Sequence, residues 1–312
     1  MMLSAVRRLS EGFPWGHCYY GGLRALGVPA LHRRYQEAGL VLCYHNIVPT
    51  DDDADDSGLH VPRAQFERQM RWLVDRYRVV PLRELLDRLA SGSSLRSVAT
   101  VTFDDGYAGV FELGLPILHE LRIPASVFLV SDAVGRPSGF WWDHPGIAES
   151  MSATHRRRWL TDLRGDGEAI LASEARSEPG PLPAAYRPAD WPLIRASLAP
   201  GIEIGGHSAT HRTLPTLDDG ELEYEIVASR EKIHAGTGVW PDHFAYPYGQ
   251  WTPRVRERVR AAGYRAALTL DDGLNRRSAD PWRLRRVNVP AGISDAAFES
   301  WTAGLAVPSA AR

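Results

Sequence analysis

Short apolar runs alternate with amphipathic segments along most of this chain, and that alternation constrains the fold more than any other feature. Residues 98–101, 125–130 and 202–204 have the length and composition of buried strands. Segments with helical spacing of apolar residues lie between such runs, as around Leu222 and Ile226. Strands that alternate with helices predict an α/β fold with a parallel sheet.

Residues suited to chemistry follow several of these strands directly. His45, Asp104, Asp105 and His207 each come just after an apolar run. In a β/α barrel the carboxyl ends of the strands share one face, where active sites are built. The sequence therefore predicts a single site at that face.

Two adjacent carboxylates form the first part of this site, in the segment Thr-Phe-Asp-Asp-Gly-Tyr at 102–107. Like charges repel, and neither carboxylate is buried cheaply without a partner. A metal ion resolves the conflict if one Asp binds it and the other keeps a lone pair for proton transfer. A plain strand-to-loop turn is the alternative, because Asp-Gly is common in turns.

A histidine pair forms the second part. His207 and His211 are four residues apart, so both imidazoles face the same way on one helical turn or tight loop. With one carboxylate they give three ligands and leave positions open, which is the pattern of catalytic zinc. Two unrelated surface histidines among the 11 in the chain are the alternative. A non-haem Fe(II) oxygenase also uses two His and one carboxylate, but the neighbouring free Asp and the strand-helix alternation disfavour it.

At these clusters the sequence resembles the polysaccharide deacetylase family, also called carbohydrate esterase family four. The segment at 102–107 matches its first motif, His-Ser-Ala-Thr-His at 207–211 its second, and Phe-Ala-Tyr-Pro-Tyr-Gly at 244–249 its third. The resemblance runs from about Gly39 to Val289. It implies a distorted, incomplete (β/α)7 barrel, with seven strands rather than eight.

The resemblance also implies roles for individual residues. Asp104 is expected to be the general base, and Asp105, His207 and His211 are expected to hold Zn²⁺ or another divalent metal. The backbone N–H of Tyr248 is expected to stabilise the oxyanion.

Two positions depart from the family pattern. The third motif commonly has an Arg that holds the base Asp, and here that position is Ala245. A His near a late strand commonly serves as general acid, and residues 268–270 contain none. These losses must be compensated if the chain is active, and a glycan-binding pseudoenzyme is the alternative.

His45 and Arg286 are the expected replacements. Leu-Cys-Tyr-His at 42–45 resembles the N-terminal motif of the poly-β-1,6-N-acetylglucosamine deacetylase branch, where such a His is the proposed acid. A core histidine that caps a strand is the alternative. Arg285 and Arg286 lie in the last predicted strand, where alternation points only one of them inward. The pattern is ambiguous, and the resemblance favours Arg286.

Trp141 and Trp142 lie in a segment, at about 136–200, that is longer than an ordinary strand-helix connection. Sugars stack on aromatic faces, so these rings are candidates for the wall of a sugar site. Packing of the long insertion explains them equally well.

The sequence divides into an extension and one main domain. Residues 1–37 form an N-terminal extension, and residues 38–305 form the catalytic domain with the insertion. The extension is interpreted as a helix or coil packed on the main domain. Its aromatic residues would also suit contact with a membrane surface, which is the less favoured interpretation. The sequence contains neither a signal peptide nor a run long enough to span a membrane, so localisation is cytoplasmic or undetermined.

Composition limits the partners. The chain has 312 residues, 44% of them hydrophobic, and a formal net charge of −2, which gives no indication of a nucleic-acid partner. Taken together, the sequence predicts a metal-dependent hydrolase that removes an N-acetyl group from an N-acetylated sugar or glycan, either free, polymeric or lipid-linked. Hydrolysis of a non-sugar C–N bond is the alternative within the same fold.

Overall fold

The structure is a computed structural model, and it describes residues 14–54, 57–144, 147, 152–174 and 182–306. The strands are β1 (Leu40–Tyr44), β2 (Asn46–Val48), β3 (His60–Pro62), β4 (Arg78–Val79), β5 (Val98–Phe103), β6 (Ala125–Leu129), β7 (Ile202–Gly206), β8 (His243–Ala245), β9 (Ala266–Leu268) and β10 (Val287–Asn288). The helices are α1 (Pro14–Ala25), α2 (Val28–Tyr35), α3 (Arg63–Val74), α4 (Leu82–Ser91), α5 (Leu115–Glu120), α6 (Ala153–Thr161), α7 (Gly167–Glu174), α8 (Trp191–Ala196), α9 (Asp219–Glu223), α10 (Ser229–Thr237), α11 (Pro253–Ala261) and α12 (Asp295–Thr302).

One curled parallel sheet organises the molecule. Its order is β10-β1-β5-β6-β7-β8-β9, with β4 beside β5, and β2 pairs with β3 separately. Every pairing between these strands is parallel. Parallel strands need both faces covered, which explains why β5 is buried at every position. The expected fold class, an incomplete barrel, is confirmed, with seven strands along the main path of the sheet and β4 as an eighth strand beside it.

The two ends of the sheet approach each other through the segment 284–288. Leu284 forms a parallel bridge with Leu268 of β9, and Val287 pairs with Leu42 of β1. The last strand predicted from the sequence, which contains Arg285 and Arg286, is not continuous, because apart from the single bridge at Leu284 only Val287 and Asn288 pair as a strand. The segment has to leave one edge strand and reach the other, so it cannot pair continuously with either.

The helical segment that follows β5 is interrupted near its start. Residues 110–114 form a π-helical turn in which the Leu115 N–H donates to Val110 O, and α5 follows. Pro116 has no N–H to donate, so the regular α-helical hydrogen-bond pattern cannot run through this point.

The described part of the N-terminal extension packs on the C-terminal helix. The rings of Tyr20 and Trp301 are 6.4 Å apart, and Arg24 forms an ion pair with Glu299 at 3.1 Å. His32 Nδ1 donates to Ala303 O at 2.7 Å. These contacts join α1 and α2 to α12. Among the described residues, no helix combines the length and apolarity needed to cross a bilayer.

The insertion has a small apolar cluster of its own. Its buried members are Trp141, Trp142, Ile147, Trp159, Leu160 and Ile170. Tyr248, from the third motif, packs against this cluster. The insertion is therefore attached to the barrel beside the strand ends that carry the predicted site.

Close packing near the start of the π-helical turn generates the first prediction. A Cβ added at Gly109 would collide with Ile47 O and lie 2.5 Å from Asn46 Oδ1. We expect Gly109→Ala to destabilise the protein by about 1–3 kcal/mol, the usual cost of overpacking, as measured by urea unfolding. Gly22→Ala is the control, because its Cβ meets nothing within 4 Å. Equal unfolding midpoints for both variants would contradict the packing described.

Candidate active site

The predicted site residues converge at the carboxyl ends of β1, β5, β7 and β8. Three of the residues next to these ends, Asp105, Ser208 and His211, have left-handed backbone, with φ of 71°, 67° and 63°. Non-glycine residues in this region carry local strain of order 1 kcal/mol or more. A hydrogen bond from His211 N to Ser208 Oγ at 2.9 Å offsets part of that strain. The turns aim the side chains of Asp105 and His211 at a common point.

Asp104 is held by a buried bidentate ion pair. Arg286 Nη1 donates to Asp104 Oδ1 at 2.8 Å, and Nη2 donates to Oδ2 at 2.7 Å. Arg286 Nε donates to Thr269 O at 2.8 Å. The two residues are 0% and 1% exposed, so no solvent screens the pair. The guanidinium fork therefore fixes the orientation of the carboxylate.

The pKa of Asp104 reflects this environment. Burial raises it, but the charge of Arg286 and then that of His207 outweigh burial and hold the pKa well below its usual range. Burial also lowers the pKa of Arg286, and Asp104 more than reverses that shift. Asp104 is consequently ionised throughout the neutral range.

Cys43 is a neighbour of Asp104 that the sequence did not single out. Its thiol donates to Asp104 Oδ2 at 3.7 Å, and it is fully buried on β1. Burial raises the pKa of the thiol well above its ordinary value, so the S–H remains a donor. The pairing of Cys43 with Thr102 across β1 and β5 explains the contact, and only the strand register reveals it.

Three ligand atoms lie together at the second part of the site. Asp105 Oδ1 is 3.5 Å from His207 Nε2 and 3.4 Å from His211 Nε2. The two Nε2 atoms are 3.1 Å apart. His207 Nδ1 lies 2.8 Å from Ala245 O, which can only accept, so Nδ1 carries the hydrogen and leaves the Nε2 lone pair free.

These atoms fit a divalent metal. Asp105 Oδ1 is buried and has no hydrogen-bond partner within the described ranges, which is costly for a carboxylate oxygen. A bound cation would satisfy it together with both imidazole nitrogens, and one carboxylate with two histidines is a catalytic metal donor set.

The two imidazoles have opposite pKa shifts. Burial lowers the pKa of His211, and His207 lowers it further, to about 3. Burial also lowers the pKa of His207, but the carboxylates of Asp104 and Asp105 outweigh burial and raise it. Protons therefore compete with a metal mainly at His207.

His45 and Tyr248 flank this centre. His45 is half-buried after β1, and one of its ring nitrogens lies within 4.8 Å of both Cys43 Sγ and an Asp104 carboxylate oxygen. Burial lowers its pKa, while Asp105 and Asp104 act to raise it. Tyr248 also has left-handed backbone, with φ of 57°, and its ring lies edge-on to His211 at 4.5 Å between centroids.

The two tryptophans sit at different depths. The Trp142 ring packs against His211 at 4.7 Å, while Trp141 packs edge-on against both Trp142 and Trp159. Both tryptophans are buried. Trp142 therefore borders the metal-ligand cluster, and Trp141 stands behind it in the core of the insertion.

A polar network that the sequence reasoning missed holds Trp142 in place. Trp142 Nε1 donates to Tyr107 Oη at 2.8 Å, and Tyr107 donates to Asp143 Oδ2 at 2.9 Å. His60 Nε2 lies 3.2 Å from Asp143 Oδ1. The position of Tyr107 in the first motif was the one sequence signal that could have drawn attention to this network. Its partner Asp143 lies in the insertion, 36 residues further along the chain, so nothing in the sequence indicated the contact.

Comparison with known proteins places the chain in a family. The profile described as Polysaccharide deacetylase matches residues 92–267. The chain belongs to this family. The expected resemblance is thus confirmed, and the chain is an enzyme of the deacetylase class that acts on N-acetyl groups of polysaccharides.

Individual relatives are distant. The poly-β-1,6-N-acetyl-D-glucosamine N-deacetylase of Escherichia coli K12 is 24% identical over 247 residues, which is 75% of this chain but 34% of that protein. The chain thus spans about a third of that relative. YxkH of Bacillus subtilis, named as a polysaccharide deacetylase, is 21% identical over 267 residues, or 84% of this chain and 75% of that protein.

Solved structures show the same fold. IcaB from Ammonifex degensii has a TM-score of 0.62 and 21% identity, with 86% of this chain and 98% of that chain covered. The Streptococcus pyogenes deacetylase PplD has a TM-score of 0.61 and 16% identity, with 86% and 99% covered.

The buried ion pair generates the second prediction. We expect Arg286→Lys to lower kcat for acetate release by roughly tenfold or more, because an ammonium cannot reproduce the two parallel contacts with Asp104. Arg285→Lys is the matched control, since Arg285 is exposed and donates to Asp272 O instead. Equal kcat values for the two variants would mean that the bidentate geometry does not matter to turnover.

Proposed function

We propose that this enzyme hydrolyses the N-acetyl group of an N-acetylated glycan at the centre formed by Asp104, Asp105, His207 and His211. The observation that carries the proposal is the separation of two tasks between adjacent aspartates. Asp104 is clamped by Arg286, whereas Asp105 points an unpaired oxygen at two histidine nitrogens. Adjacent carboxylates with such different partners suit one base and one metal ligand.

The metal is proposed to be zinc, held by Asp105, His207 and His211. One carboxylate with two imidazoles suits zinc and leaves positions open for substrate and water. Such an ion polarises a carbonyl and makes water a better nucleophile, which is what hydrolysis of a resonance-stabilised amide requires. The neutral Nε2 of His207, set by the contact between Nδ1 and Ala245 O, suits this role.

Asp104 is proposed to take the proton from the attacking water. Its two oxygens already accept from Arg286, which fixes the direction of their remaining lone pairs. Arg286 replaces the guanidinium that Ala245 removes from the third motif, and this replacement argues for an active enzyme rather than a glycan-binding pseudoenzyme.

His45 is proposed to protonate the departing amine, and the Tyr248 backbone N–H to donate to the oxyanion. His45 is half-buried at the end of β1, and one of its ring nitrogens lies close to the Asp104 carboxylate. Oxyanion donors of this kind each contribute a large part of the rate in acyl-transfer enzymes.

The substrate is proposed to be an N-acetylated sugar in a polymer or on a lipid carrier. The name of the Escherichia coli relative, a deacetylase of poly-β-1,6-N-acetyl-D-glucosamine, supports a glycan. Trp142 and, behind it, Trp141 are proposed to shape the sugar site beside His211. Acetate released from a panel of N-acetylated glycans and from non-sugar amides tests this choice directly.

The division of roles between the aspartates is the third prediction. We expect Asp104→Asn to retain the metal and lose roughly two or more decades of turnover, the usual scale for removal of a general base. Asp105→Asn, His207→Ala and His211→Ala should lose metal in elemental analysis, because each removes one of three ligands. Metal loss from Asp104→Asn with full occupancy in Asp105→Asn would reverse the two assignments.

The role of His45 is the fourth prediction. A general acid must carry its proton, so its pKa sets the basic limb of the pH–rate profile, where activity falls as pH rises. Burial lowers the pKa of His45, which moves that fall toward lower pH than an exposed histidine would give. We expect His45→Ala to bind metal normally, lose activity and lose this limb. His155→Ala, on α6 of the insertion, is the control, and near-normal activity of His45→Ala would return His45 to a structural role.

A further inference from the structure

Arg156 is a cation beside the candidate active site, close to the ring of Tyr248. It lies on α6 in the insertion, it is half-buried, and its guanidinium carbon is 6.0 Å from the centroid of the Tyr248 ring. Tyr248 in turn lies edge-on to the metal-ligand candidate His211 at 4.5 Å. Arg156 is therefore separated from the proposed centre by a single aromatic ring.

Of the three consecutive arginines 156–158, only Arg158 forms an ion pair within the described ranges, and of the other two Arg157 is exposed whereas Arg156 is half-buried. Arg158 pairs with Glu174 at 3.0 Å and Arg212 with Glu221 at 3.1 Å. Within the ranges that the structure describes, no carboxylate forms an ion pair with Arg156. Burial lowers the pKa of Arg156, and Tyr248 acts in the opposite direction. A half-buried guanidinium without a counter-charge is costly unless a ligand supplies one.

Two further hydrogen-bonding groups lie at the same corner. Tyr248 Oη and Trp141 Nε1 are buried beside each other, where the indole N–H acts to lower the pKa of the phenol, and neither makes a hydrogen bond with any other described residue. Trp141 is 5% exposed and packs in the same cluster as Tyr248. A corner with a guanidinium, a phenol and an indole N–H is rich in donors, and it suits a ligand group rich in acceptor oxygens.

We propose that Arg156 binds an anionic group of the substrate, so that this deacetylase selects an N-acetylated sugar bearing a carboxylate or a phosphate near the acetamido carbon. The inference rests on the proposed deacetylase function and adds the substrate class. Arg suits both groups because its planar fork matches carboxylate and phosphate oxygens. Arg156 acts here as a specificity-determining residue on the rim, not as part of the hydrolytic step.

Three matched sugars test the proposal on the metal-loaded full chain. Methyl N-acetyl-β-glucosaminide is neutral, N-acetylmuramic acid has a carboxylate next to the acetamido carbon, and N-acetylglucosamine 1-phosphate has a phosphate there. We expect kcat/KM for at least one anionic sugar to exceed that for the neutral one by roughly tenfold or more, the scale of a hydrogen bond to a charged group. The preferred anionic sugar identifies the source of the charge.

Variants of adjacent arginines isolate the contribution of Arg156. Arg156→Gln should reduce the anionic-to-neutral ratio to about one, and Arg156→Lys should keep part of it. Arg157→Gln is the control, because Arg157 is the exposed neighbour on the same helix. Unchanged circular dichroism spectra confirm that the variants fold.

Binding measured by calorimetry separates this inference from the proposed function. If no sugar releases acetate, the deacetylase proposal fails for these substrates. Calorimetric affinity for the two anionic sugars then decides the role of Arg156 by itself. A wild-type protein that binds all three sugars alike, or an Arg156→Gln variant that keeps the anionic preference, would overturn the inference.

Discussion

The buried ion pair between Asp104 and Arg286 is the interaction on which the rest of the structure depends. It joins residues 182 positions apart along the chain. Asp104 follows β5, and Arg286 lies in the segment that bridges to β9 at Leu284 and pairs with β1 at Val287. The pair forms only when the sheet has curled far enough to bring its ends together. Breaking such a pair by removing one partner typically costs about 3–5 kcal/mol. The same contact therefore stabilises the barrel closure and orients the Asp104 carboxylate.

Local sequence patterns predicted the fold class and brought out three candidate metal ligands that the structure places together, whereas long-range contacts escaped them. Asp105, His207 and His211 are visible because they follow strands or lie one turn apart. Arg286 is not visible by alternation, since Val287 and Val289 are buried although they should share the face of exposed Arg285. In the segment 284–288, where the two ends of the sheet meet, both faces of the chain are covered. Alternation of polar and apolar residues therefore does not indicate which side chain points inward. The family resemblance, rather than the pattern, favoured Arg286.

Precise orientation of Asp104 reduces its basicity. Burial raises the pKa of Asp104, but the charge of Arg286, the charge of His207 and the hydrogen bonds from Arg286 stabilise the ionised carboxylate and hold that pKa low. A weakly basic carboxylate accepts a proton readily only from a strongly acidified donor. The adjacent arrangement of Asp105, His207 and His211 is the natural source of that acidification once a cation is bound. In the proposed mechanism, the orientation of Asp104 by Arg286 and the acidification of water at the Asp105, His207 and His211 cluster therefore complement each other.

The insertion contacts the candidate active site directly, through the Trp142 ring against His211. Trp142 covers one side of His211, and its indole is fixed by Tyr107 of the first motif, which is itself bonded to Asp143 of the insertion. A ligand histidine keeps its orientation only if the groups around it are rigid. Trp142 is packed in the apolar cluster of the insertion and is hydrogen-bonded to Tyr107, which in turn donates to Asp143. A change in the packing of the insertion would therefore move Trp142 and, through the ring contact, His211. The packing of the insertion and the geometry of the Asp105, His207 and His211 cluster are therefore physically coupled in this chain.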